Sequence, residues 1–433
     1  MACFGDRRRR WPMLPPYRIA VIGAGVAGSV CTSRLALLPG VHITIYDMGS
    51  RGPGGRASDR PVDGSGGSFS PADCGGASSM RAGTMPSSLT FDHGVQGFTV
   101  ESPEVQELLG AWHCGGHVQR WTGRFGLLED GAFTERIAAD ADAFSLLSGR
   151  PVFVGVPSMS GLVRGVLSQA VRDAMAAGAS VTQLPAGSKA TRVSHAVEGE
   201  SESGARWTVA SSDGETRLYD AVVVAGHAAS FAADIADSLP SAQEHAATVE
   251  AMRHVSYPAG ASPLYALMVA FDEPLGARAP FDGAALAGAS SELRWISRDS
   301  SKPGRPTEGP ERWVALSTEA FALRVAAGVT AEAPPGVGAP SAQGGERPCE
   351  ATLQYVASEL LQAMARALGV SSAAELPPPV YVHAQRWQAG ITRAPLDLQP
   401  PCVATWGDDG LFACGDWAAA AASVEEAARS GLA

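Results

Sequence analysis

The feature that most narrows the fold is Gly23-Ala24-Gly25-Val26-Ala27-Gly28, a GxGxxG run set between two different periodicities. Tyr17–Ile22 before it is a short apolar run, the pattern of a fully buried parallel strand. From Val26 to Leu38 the spacing predicts a helix, stopped by Pro39-Gly40. His42–Tyr46 then alternates, is β-branched, and predicts a second strand; Asp47 follows it, nineteen residues after Gly28. Gly23 permits the tight turn, Gly25 lets backbone approach a pyrophosphate, and Gly28 lets the helix lie close on the strand. Ala24 and Ala27 share the loop's backbone contacts. The helix N-terminus offers free N–H groups and a positive dipole end to phosphate, and an acid at position 47 suits ribose hydroxyls. Arg18 to Asp47 is therefore expected to bind the ADP half of a dinucleotide.

Arg51-Gly52-Pro53-Gly54-Gly55-Arg56 follows directly. It resembles the GGR signature of the amine-oxidase-like FAD oxidoreductases. Small residues such as Gly55 let this loop pass close to the cofactor, and Arg56 can neutralise a pyrophosphate. Far away, Leu411–Cys414 reads as a short buried strand running into Gly415-Asp416, with a helix starting at Ser423. That end is similar to the second flavin motif of the same superfamily. The resemblance implies that Asp416 accepts hydrogen bonds from the ribityl chain, and that the helix start at Val424 faces the pyrimidine end of the flavin. Thr191-Arg192-Val193 offers the Val193 backbone to the adenine, although an ordinary core strand explains it equally well. A chain that only bound NAD would not need the distant second motif, so the expected cofactor is FAD.

Finer resemblances lie between these ends. Phe91-Asp92-His93-Gly94-Val95-Gln96-Gly97-Phe98-Thr99 resembles the FDHGAQYFT element of renalase and its bacterial and plant relatives. Val154–Ser160 resembles their GxPxMS step, and Trp295–Arg305 a Trp-to-KPGR element. Gln385-Arg386-Trp387 resembles their HRWRYA step but carries Gln where the family has His. The chain also departs in a longer stretch at 59–90 and in a last helix that stops at Ala433, which implies weaker support for the flavin domain. The resemblance implies hydride transfer from a reduced small molecule, a dihydronicotinamide isomer or an amine, to flavin N5, and reoxidation by dioxygen to hydrogen peroxide. An amine oxidase or desaturase is the alternative, and a non-catalytic nucleotide-binding scaffold is a third. Amine oxidases often set a lysine near N5 through a water. Only Lys189 and Lys302 occur here, and Lys302 lies in a different motif.

Flavin hydride chemistry needs positioning more than acid–base groups. His93, Gln96 and Trp387 are the expected catalytic set, with Phe98, Trp295 and His383 on the substrate. Taken singly, Phe98 and the tryptophans suit a core equally well, and His383 could simply satisfy a backbone carbonyl.

The expected fold is α/β. It pairs a Rossmann-type, glutathione-reductase-like FAD domain with an interposed α+β substrate domain on a mainly antiparallel sheet. The pattern divides into a disordered tail (1–17), FAD-domain segments 18–100, 161–230 and 386–433, and substrate-domain segments 101–160 and 231–385. Residues 59–90 and 328–348, rich in Gly, Ser, Pro and Ala, are expected to be a mobile insertion and a low-complexity loop. A net charge of −11 argues against nucleic acid or an anionic membrane as partner. Seven dispersed cysteines without CxxC pairs or zinc spacing fit an intracellular, cytoplasmic protein with no metal. A plastid is the second compartment considered.

Overall fold

The computed structural model describes residues 16–63, 88–137, 144–196, 205–226, 229–238, 246–254, 261–287, 292–328, 348–404 and 410–433. Strand β1 (Tyr17–Ile22) turns through the glycines into helix α1 (Val26–Leu35), and β2 (Val41–Tyr46) returns parallel to β1. α1 stops short of Leu38 because Leu37 and Leu38 are exposed, so their apolar spacing carries no burial. β3 (Arg60–Asp63) and β4 (Ser88–Phe91) pair antiparallel. The two ends of the 59–90 stretch are thus ordered, contrary to expectation, and 64–87 lie outside the described residues, as do most of the tail and of 328–348.

Next come α2 (Pro103–Cys114), β5 (Val118–Arg120), β6 (Phe125–Glu129), β7 (Ala132–Glu135), β8 (Phe153–Gly155) and α3 (Met159–Ala177). α3 ends on Gly178 at φ +74°, a left-handed cap that glycine adopts without strain. β9 (Ser180–Gln183), the meander β10 (Ala190–His195), β11 (Trp207–Ser211) and β12 (Thr216–Tyr219), and β13 (Ala221–Ala225) follow. Helices α4 (Ala229–Ser238) and α5 (Ala246–His254) lead to β14 (Ala261–Phe271), β15 (Gly283–Leu286), β16 (Leu293–Arg298) and β17 (Glu311–Ser317). The chain closes with α6 (Glu319–Ala326), α7 (Glu350–Ala367), β18 (Pro379–Thr392), β19 (Cys402–Ala404), β20 (Leu411–Cys414) and α8 (Val424–Leu432).

Two large sheets organise these elements. The first runs β19-β20-β13-β1-β2-β9 and is parallel except at β19. Its central strands are apolar on both faces, as a sheet covered on both sides requires. Ile19 and Val21 face α1, α3 and α8, whereas Ala20, Ile22, Val222 and Val224 face the meander with α4 and α5. The second sheet runs β18-β14-β17-β16-β15-β6-β7 and is antiparallel except where β6 meets β15. Along β14 the alternation is strict. Leu264, Ala266, Met268 and Ala270 point toward the first sheet's core, while Tyr265, Leu267, Val269 and Phe271 pack under α6 and α7.

These contacts move three expected boundaries. α2 packs on α8 rather than on the second sheet, which takes only β6 and β7 from the stretch 101–160. α4 and α5 bury Phe231, Ile235 and Met252 against Trp207 and Val222, so the segment assigned to the substrate domain from 231 begins on the nucleotide side. β18 crosses position 385 unbroken. No described helix is long and apolar enough to cross a membrane. No group of His, Cys, Asp and Glu among the described residues could hold a metal ion.

Candidate active site

At the end of β1 the chain must turn within one residue. Gly23 does so at φ +109°, and its amide donates to the Tyr46 carbonyl at 2.8 Å. A Cβ there would lie 1.9 Å from the Ala225 carbonyl oxygen, and one on Gly28 would lie 2.0 Å from that of Gly23. Both glycines are thus demanded by the protein's own backbone. Gly25 differs: a Cβ on it would meet nothing nearer than 4.0 Å, and the atoms at that distance belong to Gly54 and Gly55. The GGR loop crosses over the turn, held by the Gly54 amide on the Ala24 carbonyl at 2.8 Å. α1 begins at Gly25 with no side-chain cap and no acid in its first turn. Its free amides and dipole are left for an anion in the space above Gly25. The Ala27 carbonyl faces Gly431 of α8, so only the amide of Ala27 remains for a phosphate.

Asp47 stands at the mouth of this cradle. Its carboxylate takes backbone hydrogen bonds from Gly49, Ala24 and Met48, yet Oδ2 is buried without a partner. Burial outweighs those bonds and raises its pKa to about 6. A buried acceptor without a donor costs stability, and a pair of ribose hydroxyls would supply the donors. The open space over Gly25, the uncapped helix and this orphaned oxygen all fit the ADP half of FAD. Hydroxyl donors favour the ionised carboxylate. FAD affinity is therefore expected to be full above pH 6 and to weaken below it, approaching about tenfold per unit. Asp47→Asn should flatten that dependence. Fluorescence titration of the apoprotein with FAD between pH 5 and 8 measures both.

The two distant motifs meet. Arg56 Nη2 lies 2.5 Å from Asp416 Oδ1, and Thr392 at the end of β18 donates to Asp416 Oδ2 at 3.4 Å. Burial opposes the Arg56 charge, but Asp416 more than offsets it and the guanidinium pKa is raised. Gly55 packs on Gly25, where a Cβ would sit 3.3 Å from the Gly25 Cα. Gly415 is fixed by its amide on Ser430 Oγ at 2.8 Å. Val424 is buried at the start of α8. That helix is capped by Ser423, however, and Glu425 and Glu426 sit in its first turn, so its positive end is already offset. Glu425 itself turns away to accept the amides of Glu101 and Ser102, at 2.7 and 2.5 Å, where α2 starts.

The Phe91–Thr99 loop packs on the GGR loop. Val95 donates to the Arg56 carbonyl at 2.9 Å, and a Cβ on Gly94 would lie 2.0 Å from that oxygen. Trp387 Nε1 donates to the His93 carbonyl at 2.8 Å, with the two rings 5.0 Å apart. His93 is almost fully buried, and its Nδ1 finds no partner among the described residues. Burial, then Arg51 and Arg60, push its pKa down to about 3. His383, half-buried on β18, is pushed down to about 4 by burial, then by Arg60 and Arg51. Both rings are neutral at physiological pH. They can orient a ligand but do not cycle a proton there.

Four expected contacts are structural instead. Gln96 is spent: its Nε2 donates to the carbonyls of Asp92 (2.6 Å) and Gly94 (2.9 Å), and its Oε1 accepts from Ser297 Oγ (2.8 Å). Phe98 pairs backbone with Phe153 and lies in the core. Trp295 is fully buried against Phe144, because β16 points it into the same core. Val193 sits inside the meander, its backbone in register with Val209.

A charge cluster that sequence reasoning missed lies under this loop. Asp92 accepts from Met159 N at 2.8 Å and Lys302 Nζ at 3.1 Å, and pairs with Arg305. Lys302 also meets Asp299 at 2.8 Å, and Arg305 donates to the Gly155 carbonyl at 2.9 Å. All four charged side chains are buried. The separation of Lys302 from the FDHG element is therefore only in sequence; in space they touch. The rarity of lysine was the available signal.

The comparisons agree with this geometry. Residues 21–112 match the family model of an NAD(P)-binding Rossmann-like domain, and residues 118–433 match that of flavin containing amine oxidoreductase. No curated protein matches the chain. Among solved structures, a candidate protoporphyrinogen oxidase from Exiguobacterium sp. 255-15 is similar at 11% identity, covering 96% of this chain and 97% of its own, with a TM-score of 0.56. An oxidoreductase from Methanosarcina mazei gives 13% identity, 96% and 99% coverage and a TM-score of 0.50. A triple mutant of putrescine oxidase with redesigned cofactor binding gives 12%, 96% and 98%, and 0.52. At such identities the likeness is one of fold.

Proposed function

The chain belongs to the flavin containing amine oxidoreductase family, and from that premise we propose that it is a renalase-type oxidase that takes hydride from a reduced small molecule, with dihydronicotinamide isomers as the favoured class. It is an FAD-dependent oxidoreductase. When bound, FAD supplies the redox chemistry: hydride acceptance from substrate, and delivery of both electrons to dioxygen with hydrogen peroxide as product. The nucleotide half is of the glutathione-reductase type in this proposal, with the second sheet as the substrate wall.

The chain's own residues do the positioning. Amides of α1 and the Arg56 guanidinium hold the pyrophosphate, and Asp47 orients the adenosine ribose. Asp416 orients the ribityl chain and sets the charge of Arg56. His93 and Trp387, tied by one hydrogen bond, form the aromatic wall against which a planar substrate lies, and they exclude water from the reacting face. The observation that carries the dihydronicotinamide reading is the neutral His93–Trp387 wall. A planar ring needs stacking and no proton transfer from a side chain.

Oxidation of an amine is the second reading, favoured by the description of the family. The lysine that such enzymes place at the flavin has one nearby counterpart, Lys302, and its ammonium is spent on Asp92 and Asp299. The test is an anaerobic one. Purified protein carrying FAD is mixed with reduced nicotinamide isomers or with primary amines while the flavin absorbance is followed, and peroxide is assayed after air is admitted. Bleaching by the nicotinamides and not by amines is the expected result. The reverse pattern selects the second reading, and a protein that takes up no FAD overturns both.

A further inference from the structure

Among the described residues Arg60 is a positive charge with no carboxylate partner, at the edge of this site. β3 carries it opposite Phe91, just before the His93 loop. Its guanidinium reaches across to β18, donating to Gln385 Oε1 at 3.1 Å and bonding to the Tyr381 hydroxyl. Tyr381 is itself fixed by stacking on Phe91 at 5.3 Å. Both acceptors are neutral. No carboxylate among the described residues pairs with Arg60, although it is half-buried. The acids around it are committed elsewhere: Asp59 to Arg164 at 3.1 Å, Asp92 to Lys302 and Arg305, Asp416 to Arg56. Partly buried charges are normally paired. A half-buried guanidinium anchored by two neutral groups is arranged to receive an anion.

A second observation points the same way. His93 Nδ1 is buried beside this seam and has no partner among the described residues, an open hydrogen-bonding position. His383 lies between Tyr381 and Gln385 on the same face of β18, so two neutral imidazoles border the guanidinium. The seam therefore bears net positive charge with neutral hydrogen-bonding groups beside it. A cationic amine would meet repulsion there, and an anionic oxygen group would meet both a charge and a hydrogen-bonding ring.

We propose that Arg60, held by Tyr381 and Gln385, binds an anionic head of the substrate, a carboxylate or phosphate ester, beside His93, so that the site selects anionic reductants over cationic amines. The proposal rests on the flavin reading of the site and goes beyond it by fixing the substrate's charge.

The test uses the FAD-loaded protein and three aromatic probes: benzoate, phenyl phosphate and benzyltrimethylammonium. Binding is read as perturbation of the visible flavin band. Benzoate or phenyl phosphate should bind and the ammonium should not, and the stronger of the two anions names the head group. Arg60→Gln should weaken anion binding about tenfold or more, and Arg60→Lys should restore part of it, having the charge without the fork. The flavin band and melting temperature of each variant show that it is folded and loaded. Preferential binding of the ammonium, or unchanged anion affinity in Arg60→Gln, overturns the proposal while leaving the flavin reading intact. Absence of any flavin band overturns the reading itself and this inference with it.

Discussion

Asp92→Ala is expected to destabilise the protein by about 3–5 kcal/mol, because it leaves Lys302 and Arg305 as buried charges without their shared counter-ion. The same change removes the acceptor of the Met159 amide, where α3 starts. Burial alone would raise the Asp92 pKa, but Lys302 and Arg305 more than offset it and hold it below the ordinary carboxylate range. A carboxyl whose folded pKa is depressed contributes stability above its unfolded value, about 3.9, and that stability is lost as the pH falls through the folded value. The wild type should therefore show an acid transition that Asp92→Ala lacks in part. In a thermal melt at pH 7 the variant should unfold roughly three to six degrees lower. A melting temperature equal to that of the wild type would show that the cluster does not hold the loop in place. Lys302→Met should cost less, since Asp92 keeps Arg305 and the Met159 amide.

Gly25→Ala and Gly28→Ala should separate cofactor binding from folding. The added methyl at Gly25 meets no protein atom nearer than 4.0 Å and occupies the space over the turn. Its φ of −84° suits any residue. The variant should keep its melting temperature as apoprotein and bind FAD about ten- to a hundredfold more weakly, if overpacking against the pyrophosphate costs ~1–3 kcal/mol. At Gly28 the same methyl would sit 2.0 Å from the Gly23 carbonyl and 3.0 Å from the Ala225 Cβ. α1 must then lift from the sheet, and both stability and FAD binding should fall. Melting curves of the apoproteins, set beside FAD titrations, distinguish the two. Equal behaviour of the variants would mean that the space above Gly25 is not where the cofactor passes.

The parts of the site that were readable in the sequence are those set by local geometry. β1, the glycine turn and Asp47 lie within one βαβ unit, where periodicity and spacing determine direction. Leu411–Cys414 was readable because a short apolar run ending in Gly-Asp has few other uses. What was not readable depends on partners far along the chain. Gln96 and Phe98 stand beside His93 in one motif, and nothing local separates the residue with an open ring nitrogen from those used up in packing. That separation comes from Ser297 and Phe153. Asp92 and Lys302 are 210 positions apart. A sequence pattern shows charged residues but not that they are buried together. The pattern assigned 231 onward to the substrate domain, and only the fold decides that α4 and α5 cover the meander.

The first sheet is stitched from separated stretches of chain, and that has a consequence for how the protein is made. β1 pairs with β13, β13 pairs with β20, and Asp416 follows β20. Gly25 and Asp416 are about 390 residues apart. At ~5–20 residues per second, a ribosome makes the phosphate turn on the order of 20–80 s before it makes the partner of Arg56. A nascent chain thus has the adenosine half of its site long before the flavin half, and full closure on the cofactor waits for synthesis of the final strand and helix.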